Sequence, residues 1–164
     1  MAKRPDAAAG TPATVALTRA GVPFTTHPYE HDPAAASFGL EAAEKLGVEA
    51  DRVFKTLLAD TDRGLVVGVV PVTAQLDLKA LAQAVGAKRA VMADPQLAER
   101  KTGYVVGGIS PIGQKTPLPT VVDETAELFD TVFVSGGKRG FDIELAPVDL
   151  VALTAGSFAA VAKW

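Results

Sequence analysis

Lys55 stands inside an apolar run, "VFKTLL" at residues 53–58. With the two-residue period of a strand it shares a face with Val53 and Leu57, while Phe54 and Leu58 take the other. Both faces are apolar, so the lysine is expected to be partly buried. A desolvated ammonium is costly without a partner or a task. Two readings stand: an edge-strand lysine that snorkels to water, or the electrostatic group of a site. A second peculiarity lies downstream. "GYVVGGISPIG" (103–113) holds four of the chain's 15 glycines, and "SGGKRG" (135–140) holds three more. Gly107 and Gly108 follow an apolar stretch directly. Backbone free of side chains can turn its N–H groups toward a ligand, and two such donors make an oxyanion hole or an anion nest. The plainer reading is turn geometry, because glycines commonly end strands. Lys115, Lys138 and Arg139 flank the two loops, and taken singly they read as solvated turn charges.

Several familiar chemistries fail on their own residues. "GISPIGQKT" approaches a phosphate-binding P-loop, but Gln114 intrudes before Lys115-Thr116 and no long helix follows to supply its N-terminus. "GISPI" approaches a nucleophile elbow around Ser110, but the second glycine is missing and Pro111 follows the serine. A serine nucleophile also needs a base, and the chain has only two histidines, His27 and His31. These two are spaced as half a helical metal site, with Glu30 and Asp32 nearby. Pro28 and Pro33 argue against a helix there, so a strand histidine and a loop histidine are the simpler reading. With no cysteine in the chain, a thiol nucleophile, thiolate metal ligands and disulfides are excluded. No metal and no cofactor is expected. Any ester or amide cleavage must therefore activate water or borrow a group from the substrate.

The 164 residues, 48% hydrophobic, suffice for one domain with a core. The net charge of −3 means that a phosphate-rich partner would need a local basic patch. Residues 1–10 read as a disordered tail without the apolar segment of a signal peptide. No stretch is long enough to span a bilayer, so no membrane partner is expected. The absence of cysteine fits a reducing compartment, and the expected location is the cytoplasm. Thr11-Pro12 and Gly21 bracket a helix, as do Ser37 and Gly47, Asp77 and Gly86, and Asp94-Pro95 and Gly103. Pro147 starts a last helix. Strands are expected at 22–29, 52–59, 64–72, 89–93, 104–106, 120–123, 131–135 and 141–145, with "DTDR" and "GGKRG" as hairpin turns. These elements predict a single mixed α/β domain over 11–164, a curled or barrel-like sheet flanked by short helices.

Three stretches in order, "FKTL" (54–57), "TGYVVGGISPIGQK" (102–115) and "VSGGKRG" (134–140), resemble the YbaK family of aminoacyl-tRNA deacylases, relatives of the editing domain inserted in bacterial prolyl-tRNA synthetases. "HPYEHDP", "FGLEAAEKLG" and "MADP" fall in step, so the likeness runs from about Thr11 to Ala162. It implies that fold and a stand-alone editing enzyme that clears cysteine mischarged onto proline tRNA. The lysine of the family falls on Lys55, which with Gly107 would be catalytic. The family's substrate loop falls on Gly107, Gly108, Ile109, Ser110 and Pro111. Its pocket positions fall on Tyr29, Phe38, Thr56, Ser135 and Asp142. Lys115, Lys138 and Arg139 would meet the tRNA. The family implies attack by the substrate's own thiol, with release of a thiolactone, and a transient complex with prolyl-tRNA synthetase. Two alternatives stay open at this point: a deacylase for alanine or serine, and a non-catalytic reader of the tRNA end.

Overall fold

The computed structural model describes residues 10–164; the expected tail at 1–10 lies outside them except for Gly10. Helix α1 (Pro12–Ala20) begins where the Thr11 hydroxyl accepts the Thr14 N–H, and it stops at Gly21, whose φ of 68° a side chain would resist. Strand β1 (Thr25–Pro28) follows, then α2 (Phe38–Leu46), capped by Ser37. Strands β2 (Phe54–Thr61) and β3 (Gly64–Pro71) form an antiparallel hairpin turning at Asp62-Arg63. Next come β4 (Gln75–Leu76), α3 (Leu78–Ala84), β5 (Ala90–Met92) and α4 (Pro95–Thr102). Strand β6 (Thr120–Asp123) precedes a second hairpin of β7 (Val132–Lys138) and β8 (Phe141–Leu145). Helix α5 (Pro147–Thr154) and two short strands, β9 (Ser157–Ala159) and β10 (Ala162–Lys163), end the chain.

The expected mixed α/β domain is present, but its sheets stay open and do not close into a barrel. A five-stranded sheet runs β5-β2-β3-β6-β9, a three-stranded one β1-β8-β7, and β10 pairs with β4. Strand β6 lies parallel to both β3 and β9, and the other pairs within the sheets are antiparallel. The main core lies between the two larger sheets. Phe54, Leu58, Val67 and Val69 meet Val132, Val134, Ile143 and Leu145 there. The opposite face of β2 and β3 buries Ala59, Val66 and Val70 against Leu76 and Leu81. Period-two burial on both faces explains why β2 reads as continuously apolar.

One strand expectation fails. Residues 104–106 form a turn, not a strand. Tyr104 is buried with its hydroxyl donating to the Ile112 carbonyl at 2.7 Å, while Val105 is exposed. The apolar run serves a loop anchored by an aromatic residue. No pattern marked β4, β9 or β10, which have only two or three residues.

Candidate functional site

Strand β2 leaves part of one edge uncovered. The Val53 carbonyl accepts the Val72 N–H at 2.8 Å, toward β3, and the Leu58 carbonyl accepts the Ala93 N–H at 3.0 Å, on the other side. Backbone groups alternate in direction along an antiparallel strand. The backbone of Thr56 therefore points away from β3. Strand β5 reaches β2 only at Ala59–Thr61, and β7 touches the chain at a Val53–Phe133 bridge. Thr56 falls in the gap between them. Its side-chain oxygen is also buried without a hydrogen-bond partner, at 9% residue exposure.

A cavity of about 400 Å³ opens at this gap. Of the residues singled out in the sequence, Tyr29, Phe38, Lys55, Thr56, Gly107, Ile109, Ser135 and Asp142 line it. Lys55 is half-buried and makes no hydrogen bond or ion pair with the described residues. Burial lowers its pKa. Asp142 sits across from Ser135 and His27 in the β-ladders at 6% exposure. Burial pushes its carboxyl up to about 7, so it is substantially protonated at neutral pH. Burial, then the Asp142 and Glu41 carboxylates, push Tyr29 up to about 12.

Helix α2 starts at the cavity and presents Phe38, whose ring lies 5.6 Å from that of His31 and 5.1 Å from the Arg139 guanidinium carbon. His31 is held by Glu41 at 2.7 Å, and His27 by Glu144 at 2.8 Å. Both histidines have structural carboxylate partners, and the described residues contain no cluster of three metal-ligating side chains. Hydrogen bonding to Asp32 N–H and His31 keeps Glu41 below the usual carboxylate range despite its burial.

The glycines answer to neighbours within the protein. A Cβ on Gly107 would lie 2.8 Å from the Phe38 ring, and one on Gly108 would lie 2.7 Å from the Lys138 Cα. A Cβ on Gly137 would meet the Tyr104 ring at 2.9 Å. The two glycine-rich segments are stripped of side chains chiefly because they pack on each other and on α1 and α2. The expectation of two paired N–H donors is corrected accordingly. Gly108 N–H is spent on the Val105 carbonyl at 2.8 Å, whereas Gly107 N–H has no partner among the described residues.

Gly108, Ser110 and Pro111 do not line the cavity. Ser110 is fully buried, its Oγ accepting the Ile112 N–H at 3.2 Å, so it faces neither solvent nor a base. Lys115, Lys138 and Arg139 are exposed and outside the cavity lining. Arg139 alone is tied to its rim, donating to the Val106 carbonyl from Nε at 2.9 Å and Nη2 at 2.7 Å. The lining also includes Val53, Met92, Ala93, Ala98 and Val106, which ordinary core composition hid in the sequence. Glu99 on α4, which accepts the Val106 N–H at 2.8 Å, had no sequence signal at all.

An open mixed sheet with an uncovered strand edge, and beside it a cavity holding a lysine without a partner among the described residues, marks a candidate ligand site. A family model described as the aminoacyl-tRNA editing domain matches residues 32–153. A relative in Enterococcus faecalis, "Putative Cys-tRNA(Pro)/Cys-tRNA(Cys) deacylase EbsC", is 47% identical over 120 residues, 73% of each chain. A solved structure of "a putative trans-editing enzyme for prolyl tRNA synthetase" superposes with a TM-score of 0.80 at 26% identity, covering 99% of this chain and 100% of that one. Another, of "hypothetical protein APE2540", has a TM-score of 0.80 at 25% identity, covering 90% and 96%. The chain belongs to the aminoacyl-tRNA editing domain family, as the resemblance to the YbaK deacylases implied. No helix among the described residues is long and apolar enough to cross a membrane.

Proposed function

We propose that the protein is a trans-editing deacylase that removes cysteine from mischarged proline tRNA. The aminoacyl end of the tRNA occupies the cavity at the β2 edge. The observation that carries the reading is a lysine without a partner among the described residues in a cavity that no histidine lines: Lys55 faces it, the serine and threonine hydroxyls that line it (Ser37, Thr56 and Ser135) have no imidazole base there, and Ser110 is sealed in the protein. The substrate's own thiol supplies the missing group. Its sulfur bonds to the aminoacyl carbonyl carbon, and the bond from that carbon to the ribose oxygen breaks. The thiol proton ends on the ribose oxygen, and a cyclic thiolactone leaves. Such an intramolecular attack gains from proximity. Gly107 N–H donates to the carbonyl oxygen as charge develops on it. The Lys55 ammonium stabilises the leaving ribose oxygen. Tyr29, Phe38, Thr56, Ile109, Ser135 and Asp142 shape the pocket.

The EbsC relative and the trans-editing structure, by their names, support the choice of substrate. With a net charge of −3, the chain is expected to bind tRNA weakly and to lose affinity with salt. Proline specificity is therefore borrowed, in our reading, from a transient complex with prolyl-tRNA synthetase.

The test is a deacylation panel: proline tRNA charged with cysteine, S-alkylated cysteine, serine, alanine or proline, and cysteine tRNA charged with cysteine. Cysteine esters should be cleaved fastest, and alkylation should abolish the advantage. Equal rates on cysteine, alkylated cysteine and serine would remove the thiol mechanism and point to water. No cleavage of any ester would leave a non-catalytic reader of the tRNA end.

A further inference from the structure

The loop that carries Gly107 is a type II turn. Gly108 N–H closes it on the Val105 carbonyl at 2.8 Å, and Gly107, in the third position, has φ 88°. Type I and type II turns differ by a half-rotation of the central peptide, here Val106–Gly107. Glycine in the third position tolerates either sign of φ, so the turn itself does not choose. Two side chains from elsewhere choose for it. Arg139, at the tip of the β7–β8 hairpin, donates twice to the Val106 carbonyl, and its guanidinium lies against Phe38. Glu99, on α4, accepts the Val106 N–H. The acid and the base do not pair with each other; each holds one of the two peptides that flank Val106.

Every peptide bond in the described chain is trans. In a trans peptide the N–H points opposite to the C=O. With the Val106 carbonyl fixed on Arg139, the Gly107 N–H must point away from Arg139. We propose that Arg139 is a positioning residue, with Glu99 as its counterpart: together they lock the Val106–Gly107 peptide so that the Gly107 N–H faces the cavity as a hydrogen-bond donor. This rests on the editing reading for its catalytic consequence, since the donor would serve the ester carbonyl oxygen. It replaces the phosphate contact that the family likeness suggested for Arg139. Two of the five guanidinium N–H donors are spent on that carbonyl, and substrates with and without phosphate separate this role from a phosphate contact.

The test uses two substrates: Cys-tRNA(Pro) and the 3′-cysteinyl ester of adenosine, which has no phosphate. Arg139→Gln should lower kcat about a hundredfold on both, the scale of one oxyanion donor. The salt dependence of KM on tRNA should stay unchanged. Arg139→Lys should recover only part of the loss, because an ammonium cannot reproduce the two-pronged contact. A variant that keeps full kcat on the nucleoside ester, yet shows a raised KM and a flatter salt slope on tRNA, would make Arg139 a phosphate contact and overturn the proposal. A second readout needs no activity. In ¹⁵N-labelled protein, the Gly107 amide resonance should shift in Arg139→Gln while remote amides hold still. An unmoved Gly107 amide overturns the lock even if the protein cleaves no ester, so the failure of the lock and the failure of the editing reading are told apart. If Arg139→Gln does not fold, Glu99→Leu, which removes the acceptor of the Val106 N–H at similar size, carries the same two measurements.

Discussion

Thr56 and Gly107 reach the same cavity from walls held in different ways. The β2 wall is fixed by its ladder: every residue from Phe54 to Thr61 is registered against β3, so the position of Thr56 follows from strand geometry. The loop wall has no ladder. Its turn is held by two charged side chains, from α4 and from the β7–β8 hairpin, on the backbone of Val106. A wall made by a ladder fails only if the sheet fails. A wall made by two side chains can lose its aim while the fold stands. Function should therefore separate from stability differently in the two places.

The largest effect belongs to the ladder wall. Lys55→Ala should reduce kcat for Cys-tRNA(Pro) about a hundredfold or more, the usual worth of one preorganised charge. The melting temperature should barely move. The ammonium is partly desolvated and has no partner among the described residues, so removing it breaks no native interaction and relieves a burial cost. A large loss of stability with normal kcat would assign Lys55 to the scaffold.

The neighbouring glycines sharpen the contrast within the loop wall. Gly107→Ala places a methyl against the Phe38 ring at φ 88°, so the turn should change form and activity should drop by at least tenfold, on the scale of a misdirected donor. Gly108→Ala has ordinary φ but drives its methyl into the Lys138–Arg139 backbone, at 2.7 to 2.8 Å. That overpacking should cost about 1–3 kcal/mol. Urea denaturation of both variants, beside their kcat values, checks the split. Equal stability and equal kcat for the two would erase the distinction between aiming and packing.

Residues of both walls stand out in the sequence, but only what positions the ladder wall is legible there, for one physical reason. Alternation at Phe54, Lys55 and Thr56 is a local property, and a lysine inside it is conspicuous. The helix caps at Thr11, Ser37, Asp77 and Asp94 are local too, and the structure has all of them. The glycines at 107 and 108 are explained by Phe38 and by the 138–139 backbone, dozens of residues away in the chain. Sequence shows that the side chain is missing, not what fills its place. Tyr104-Val105-Val106 misleads for the same reason: its apolar residues serve a loop anchored through the Tyr104 hydroxyl. Open sheets against a barrel, and strands of two residues, are decided by pairing and leave no periodic mark.

Asp142, which enters the cavity from β8, gives the site a pH signature. Its carboxyl has a pKa near 3.8 when solvated and about 7 in the folded protein. Between these values the folded state keeps a proton that the unfolded chain has released. Stability from this group is complete below about pH 4 and is lost as pH rises through 7. The full effect is about 4 kcal/mol, from 1.36 kcal/mol per pKa unit. Wild type and Asp142→Asn should therefore differ in the pH dependence of unfolding free energy between about pH 4 and 7, the variant losing less as pH rises. Parallel profiles would show that Asp142 ionises freely in the folded state.

The smallest effect should come from the residue that looks most like a nucleophile. Ser110 is fully buried behind the loop wall, and its Oγ accepts the Ile112 N–H while its carbonyl accepts from Gln114. Ser110→Ala leaves one buried N–H unsatisfied, a loss of about 1–3 kcal/mol in unfolding free energy. Its kcat on Cys-tRNA(Pro) should stay within about twofold of wild type, because a local bond behind the turn does not touch Glu99 or Arg139, which aim it. A stable Ser110→Ala protein without activity, yet with normal substrate binding, would mean that the loop opens to expose the hydroxyl. It would also mean that the enzyme attacks the ester itself. The side-chain clamp on Val106 would then hold a closed resting form, and the loop wall, not the β2 wall, would carry the chemistry.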